Sequence, residues 1–171
     1  LICFIFSFVA GILNVNVVFG ALLAGIVVGR MDDERFEKSK NSIKEFSTAW
    51  LIPLYFAMVG LKLDLIHAFS LKMFIVFLLF ALFCKTVGTL LAARLLKINW
   101  PSSVNFAIAL NARGGPGIVL ATVAYDLQII NQGLFVILVM TAIITSLVAG
   151  AWFRYQHEKG RELFFEEVKA I

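Results

Sequence analysis

Residues 73–93 read MFIVFLLFALFCKTVGTLLAA, an apolar stretch with one charged side chain, Lys85. A helix needs about 20 predominantly apolar residues to cross a bilayer, so this stretch is predicted to form one transmembrane helix. Lys85 would then lie near mid-membrane, where inserting a lysine costs roughly 2.5–3.5 kcal/mol. Ionisable groups at that depth usually face a polar bundle interior or mark an ion path. Lys85 is therefore a candidate functional residue, and the alternative is a structural lysine that only pairs with a carboxylate or caps carbonyls.

The composition of the whole chain agrees with a membrane protein. The 171 residues are 61% hydrophobic and only 15% charged, against about 25% charged in soluble domains, and the mean hydropathy is +0.93. The net charge of +4 does not indicate nucleic-acid binding, because no basic stripe is interleaved with aromatic residues. Cys3 and Cys84 lie in apolar runs without a CxxC motif or a histidine at ligand spacing, so neither a disulfide nor a cofactor is predicted.

Apolar segments recur along the chain and predict an all-α, polytopic helical bundle. Six can be recognised: residues 1–13, 15–29, 48–66, 72–96, 103–125 and 134–155. The first two are short for full spans. Residues 30–46 are polar and predict either an interfacial helix or a solvated loop. The tail after Arg154 is charged and is predicted to be amphipathic around Leu163, Phe164 and Val168. The chain resembles a fragment of something longer, and no cleaved signal peptide is expected at its start.

The distribution of basic residues predicts the orientation. Cytoplasmic loops carry an excess of Lys and Arg. With six alternating spans, one side receives eleven of the 15 basic residues: Arg30, Arg35, Lys38, Lys40, Lys44, Arg94, Lys97, Arg154, Lys159, Arg161 and Lys169. The other side receives Lys62 and Lys72, while Lys85 and Arg113 lie within the spans. The C-terminal tail and the 30–46 stretch are therefore predicted to be cytoplasmic.

The fifth segment contains the sequence NARGGPG at residues 111–117. Three glycines and a proline in four residues are expected to interrupt a helix, and irregular backbone at membrane depth must be buried in protein or line a polar cavity. We predict one half-helix that ends near Arg113 and another that starts near Pro116. Discontinuous helices of this kind bind ions and small substrates in secondary transporters. A proline kink that serves only packing is the alternative. The candidate residues are Asn111, Arg113, Gly114, Gly115, Pro116 and Gly117.

Four further residues are assigned to packing or hinge roles. Pro53 is expected to bend or start a helix. Gly20 and Gly25 belong to a run of small residues that permits close contact between helices, as at a dimer interface. Gly60 interrupts the apolar third segment.

Four motifs in this order resemble the second half of the monovalent cation:proton antiporter-2 family: FGALLAGIVVG (19–29), IPLYFAMVGLKLDL (52–65), CKTVGTLLAARL (84–95) and NARGGPGIVLATVAYD (111–126). The resemblance implies the second of two inverted repeats, with residues 1–66 in a dimerisation or scaffold domain, residues 72–155 in a moving core domain, and 156–171 as a cytoplasmic tail. It also implies that Lys85 pairs with a carboxylate from the other repeat and that residues 113–117 form one of two crossing discontinuous helices. Many members carry an acidic residue where this chain has Gly115.

No Asp or Glu lies in the interior of the six segments, since Asp64 is near the end of segment 48–66 and Asp126 directly follows segment 103–125. Hard cations prefer carboxylate oxygen, so the chain is expected to hold half a mechanism and to need the upstream repeat. The predicted function is exchange of Na⁺, K⁺ or Li⁺ for H⁺ by alternating access, in a homodimer in the bacterial inner (plasma) membrane. A channel-like or regulated potassium efflux system is the alternative. An enzyme is not expected, because His67 and His157 have no nucleophile or metal-ligand partner at a suitable spacing.

Overall fold

The computed structural model describes residues 2–13, 17–30 and 34–160, and at residues 19 and 34–36 it describes the backbone only. The chain divides into two compact units, Leu1–Phe56 and Ala57–Ile171. Eight α-helices lie in the described residues: α1 (Ile2–Ile12), α2 (Val17–Gly29), α3 (Glu34–Phe46), α4 (Ile52–Leu61), α5 (Leu71–Leu95), α6 (Trp100–Asn111), α7 (Gly114–Asp126) and α8 (Gln132–Glu158). A π-helical turn, Ser47–Leu51, joins α3 to α4.

Most of the described residues in each of the six apolar segments are helical, and none of the described residues forms a strand. Three helical stretches are long and apolar enough to cross a membrane: Leu71–Leu95, Trp100–Asp126, which includes both α6 and α7, and Gln132–Glu158. The all-α membrane bundle is therefore confirmed. Within residues 30–46, Glu34–Phe46 is a helix rather than a loop. The amphipathic tail predicted around Leu163, Phe164 and Val168 lies outside the described residues.

In the first unit, α1 and α2 pack closely at Gly20. A Cβ atom added there would lie 2.5 Å from the backbone oxygen of Phe6 and 2.9 Å from the Cβ of Ala10. Such distances leave room only for glycine. By contrast, a Cβ atom at Gly25 or Gly60 would meet no described atom within 4 Å. Their packing roles stay predictions that would involve surfaces beyond the described part of the chain.

The π-helical turn immediately precedes Pro53. Proline has no backbone N–H, so it removes one hydrogen bond of the α-helical ladder. The N–H of Ile52 donates to the carbonyl of Ser47, a five-residue spacing that widens the turn just before the proline. Pro53 itself is the second residue of α4, where the missing donor is tolerated.

The second unit is built around α8. Its side chains Phe135, Val136 and Ile137 are at most 1% exposed, and the ring of Phe135 stacks on that of Tyr125 with centroids 4.7 Å apart. Helix α7 packs against α8, and α5 packs against α6. The ring stacking fixes the end of α7 against the first turns of α8.

The predicted C-terminal boundary of the third segment, 48–66, is wrong, because α4 ends at Leu61. The physical reason is a local competitor for backbone donors. The carboxylate of Asp64 accepts the N–H groups of Ile66 at 3.1 Å and of His67 at 2.9 Å. A side chain that bonds nearby amides offers the backbone an alternative to the helix.

Gly20→Ala is expected to destabilise the protein despite the better helix propensity of alanine. Glycine in a helix costs roughly 0.5–1 kcal/mol relative to alanine, whereas overpacking a tight contact costs about 1–3 kcal/mol. The midpoint of thermal unfolding of the full-length protein in detergent measures the net effect.

Gly11→Ala on α1 is the control, because a Cβ atom there meets no described atom within 4 Å and Gly11 has no predicted packing role. The midpoint for Gly20→Ala should fall below that for Gly11→Ala. Equal midpoints would show that α1 and α2 are not in close contact at Gly20.

Candidate functional site

The predicted discontinuity in the fifth segment is confirmed, but it lies two residues earlier than predicted. Helix α6 ends at Asn111 and α7 begins at Gly114, not near Arg113 and Pro116. The chain turns because Ala112 is extended, with φ −62° and ψ 122°, and Gly114 has φ +45°. Only glycine adopts that left-handed conformation readily. Pro116 then sits in the first turn of α7, where its missing N–H is not needed.

The two helix ends at the break are each bonded to a different neighbouring helix. The side-chain amide of Asn111 donates to the hydroxyl of Thr86 on α5 at 2.9 Å and to the carbonyl of Ala107 at 2.8 Å. The N–H of Gly114 donates to the hydroxyl of Ser146 on α8 at 3.0 Å. These bonds hold the interrupted backbone between α5 and α8.

Lys85 and Arg113 line the same cavity, of about 490 Å³, which we call the basic cavity. Lys85 projects from the middle of α5 and is exposed in the chain described here, whereas Arg113 lies in the break. The remaining lining residues are small or apolar: Ala112, Gly117, Leu120, Ala121, Ala124, Leu138 and Ala142. A Cβ atom at Gly117 would lie 3.3 Å from that of Arg113. Gly115 and Pro116 belong to the adjoining first turn of α7 but do not line the cavity.

The basic cavity is electrostatically positive. Among the described residues, neither Lys85 nor Arg113 has a carboxylate within 4 Å, and the guanidinium carbon of Arg113 lies 5.9 Å from the ring centroid of Phe77. The first turn of α7 adds the partial positive charge of a helix N-terminus. This arrangement attracts a carboxylate and repels a cation. In the described part of the chain, no cluster of His, Cys, Asp and Glu is suited to a metal ion.

An ion pair joins the end of α4 to the end of α7. The ammonium of Lys62 donates to both carboxylate oxygens of Asp126, at 2.7 and 2.9 Å, and both side chains are partly exposed. Nearby, the backbone N–H of His67 holds the pKa of the Asp64 carboxyl below its ordinary value. The contact places residues 62 and 126 on one side of the bundle, as alternating spans predict.

The sequence did not point to Thr86, Ser146 or the pairing of Lys62 with Asp126. Each of the two hydroxyl side chains lies in a predicted span, and Thr86 directly follows Lys85. Polar residues in apolar spans often form hydrogen bonds between helices. The positions of Thr86 and Ser146 within predicted spans could therefore have indicated such bonds. Their partners depend on how the helices pack.

The transmembrane family described as sodium/hydrogen exchanger matches residues 1–155 of this chain. The chain belongs to the sodium/hydrogen exchanger family. This membership, together with the apolar helices, confirms an integral membrane protein that is not an enzyme, and it confirms the resemblance to cation:proton antiporters.

Several curated relatives of this exchanger-family chain are named antiporters. Cation/H(+) antiporter 19 of Arabidopsis thaliana is 28% identical over 145 residues, which cover 83% of this chain and 18% of that protein. K(+)/H(+) antiporter 1 of Saccharomyces cerevisiae is 29% identical over 156 residues, 86% and 17% of the two chains. A Na(+)/H(+) antiporter of Enterococcus hirae is 23% identical over 159 residues, 92% and 41%. The chain thus spans well under half the length of these relatives. No solved structure matches it significantly.

Gly114→Ala should destabilise the break, because a left-handed conformation costs a residue with a Cβ atom about 1–2 kcal/mol. We expect a lower midpoint of thermal unfolding in detergent and slower transport by the full-length protein. Gly114→Asn should lose less, because asparagine tolerates this region better.

Gly150→Ala on α8 is the control, since a Cβ atom there meets no described atom within 4 Å. It should keep or slightly raise the midpoint. A midpoint for Gly114→Ala equal to that for Gly150→Ala would mean that residue 114 does not require a positive φ.

Proposed function

We propose that this chain is part of a secondary transporter that exchanges a monovalent cation, Na⁺, K⁺ or Li⁺, for protons by alternating access. The observation that carries the proposal is the basic cavity, where Lys85 and Arg113 meet at a discontinuous helix in a member of the exchanger family. The names of the relatives, which include Na(+)/H(+) and K(+)/H(+) antiporters, support Na⁺, K⁺ and H⁺ as substrates.

The positive charge of the cavity determines what the rest of the protein must supply. Two basic side chains without a described carboxylate do not bind a cation, whereas hard cations bind to carboxylate oxygen. We propose that an acidic residue of the upstream repeat enters the basic cavity and pairs with Lys85. When the acidic residue is protonated, it must release that proton before it can pair with Lys85 or bind the cation. A cation that binds to the carboxylate displaces Lys85, so the carboxylate holds the ammonium, a proton or the cation, one at a time.

The chain is proposed to contain the second inverted repeat. In this arrangement residues 1–66 belong to the scaffold and dimer interface, residues 72–155 to the moving core, and residues 156–171 to a cytoplasmic tail. The membrane would be the bacterial inner (plasma) membrane. The excess of basic residues near the 30–46 stretch and after Arg154 supports the cytoplasmic side for both.

Lys85→Ala in the full-length protein should lower the exchange rate by at least about tenfold, equivalent to about 1.4 kcal/mol in a rate barrier. The substitution removes the competitor of the cation, so the dependence on pH and membrane potential should also change. Lys85→Arg, which keeps the charge, should retain more activity. Exchange in proteoliposomes across a range of pH and imposed potentials measures all three quantities.

Lys72→Ala is the control, because Lys72 is an exposed lysine in the first turn of the same helix. It should keep the wild-type rate and pH profile. If both Lys85 variants also keep them, Lys85 is structural and the proposed exchange step is wrong. Cation flux that persists without a pH gradient would instead favour the channel-like potassium system.

The Lys62–Asp126 contact offers a test of movement, because the proposed scaffold contains residue 62 and the proposed core contains residue 126. In Lys62→Cys/Asp126→Cys, with the exposed Cys3 and Cys84 replaced by serine, a short bifunctional thiol reagent should stop exchange. A disulfide is unsuitable, since its Cβ atoms lie only about 3.8 Å apart and a lysine side chain spans more.

A monofunctional reagent of the same chemistry is the control, because it modifies both cysteines without joining them. Exchange should continue after that treatment. Cross-linked protein that still exchanges at the unmodified rate would show that the ends of α4 and α7 do not separate during transport.

A further inference from the structure

A second, smaller cavity of about 190 Å³ lies at the break, bordered by α5, α6 and α8. Three polar side chains line it, Thr86, Asn111 and Thr145, and the other lining residues are apolar. We call it the threonine cavity. Some residues that line the two cavities are neighbours in the sequence, since Thr86 follows Lys85 on α5 and Asn111 precedes Ala112.

At this cavity the hydroxyl proton of Thr86 and the side-chain oxygen of Asn111 have no hydrogen-bond partner among the described residues. Both N–H groups of the Asn111 side chain have acceptors, the hydroxyl of Thr86 and the carbonyl of Ala107. The side-chain oxygen of Asn111 receives no hydrogen bond from the described residues. Thr86 accepts from Asn111, and its own hydroxyl proton has no acceptor among them. Thr145 differs, because its hydroxyl donates to carbonyls of its own helix at 2.8 and 3.3 Å.

The unpaired oxygen of Asn111 is accessible from the cavity, although the residue as a whole is only 8% exposed; among the described residues, the fully buried side-chain atoms without a partner are those of Tyr55, Thr141 and Gln156. An accessible oxygen without a protein donor is an acceptor for water. Buried water normally makes two to four hydrogen bonds to such groups, and each water takes about 30 Å³ in the liquid. The threonine cavity has room for more than one.

We propose that the threonine cavity binds a small cluster of ordered water. The hydroxyl of Thr86 donates to water, and water donates to the oxygen of Asn111. A monovalent cation is disfavoured here by charge, because positively charged Lys85 and Arg113 lie next to Thr86 and close to Asn111 in the sequence. This inference rests on the proposed function and deepens it, since it places water beside the residues that would handle the proton.

Radiolytic hydroxyl footprinting tests the proposal on the full-length protein in detergent, because side chains next to bound water are oxidised. Leu82 and Ile108 line the threonine cavity and serve as reporters. Phe135, which is 0% exposed and does not line it, gives the background. We expect oxidation of both reporters well above Phe135 in the wild type. Thr86→Val, which has the same shape without the hydroxyl, should reduce the reporters to the background level.

Two variants separate loss of water from loss of structure. Thr86→Ser keeps the hydroxyl and should keep the oxidation of Leu82 and Ile108. Thr145→Val should also keep it, because the hydroxyl of Thr145 already bonds within α8. If Thr86→Val does not fold, the oxidation of Leu82 and Ile108 in the wild type, compared with the Phe135 background, still decides whether the cavity holds water.

Three results would overturn the inference. Reporters at the background level in the wild type would mean a dry cavity, and unchanged oxidation in folded Thr86→Val would mean that Thr86 does not hold the water. Protection of the reporters that rises with Na⁺ or K⁺ concentration would identify a cation instead. None of these readings requires transport, so a failure of the proposed exchange is seen separately in proteoliposomes.

Discussion

A backbone N–H or C=O group inside a membrane needs a partner within the protein, because lipid offers none. The second unit of this chain is organised by that requirement at the break between α6 and α7. The side-chain amide of Asn111 donates to the backbone carbonyl of Ala107 and to the hydroxyl of Thr86 on α5, and the backbone N–H of Gly114 donates to the hydroxyl of Ser146 on α8. The interrupted backbone therefore lies between two long helices, and this position brings Arg113 to the cavity that Lys85 lines.

The two cavities at the break differ in character, although neighbouring residues line them. The basic cavity has two positive side chains, whereas the threonine cavity has neutral hydroxyl and amide groups. One helix break thus creates a site suited to an acidic group and a site suited to water. In the three described spans, acidic residues occur only at the helix ends, at Asp126 and Glu158.

The sequence predicted the helices and the break better than the contacts between them. Apolar length was sufficient for α5 and α8, and residues 111–117 marked the discontinuity because glycine and proline disfavour a helix. The break lay two residues earlier because the turn depends on the φ of Gly114, which residue type alone does not fix. Composition gave no sign that Asp64 would end α4 early. The hydrogen bonds of Thr86 and Ser146 and the ion pair between Lys62 and Asp126 depend on how the helices pack. In each case the two partners are separated by 25 to 64 residues in the sequence.

The partly exposed position of the Lys62–Asp126 pair has a consequence for how firmly the ends of α4 and α7 are joined. Dissolved ions screen exposed charges, and the screening length falls from about 10 Å at 0.1 M ionic strength to about 3 Å at 1 M. The attraction between these two side chains therefore weakens as salt accumulates in the adjoining solution. The contact between the ends of α4 and α7 is therefore expected to be looser in concentrated salt than in dilute salt.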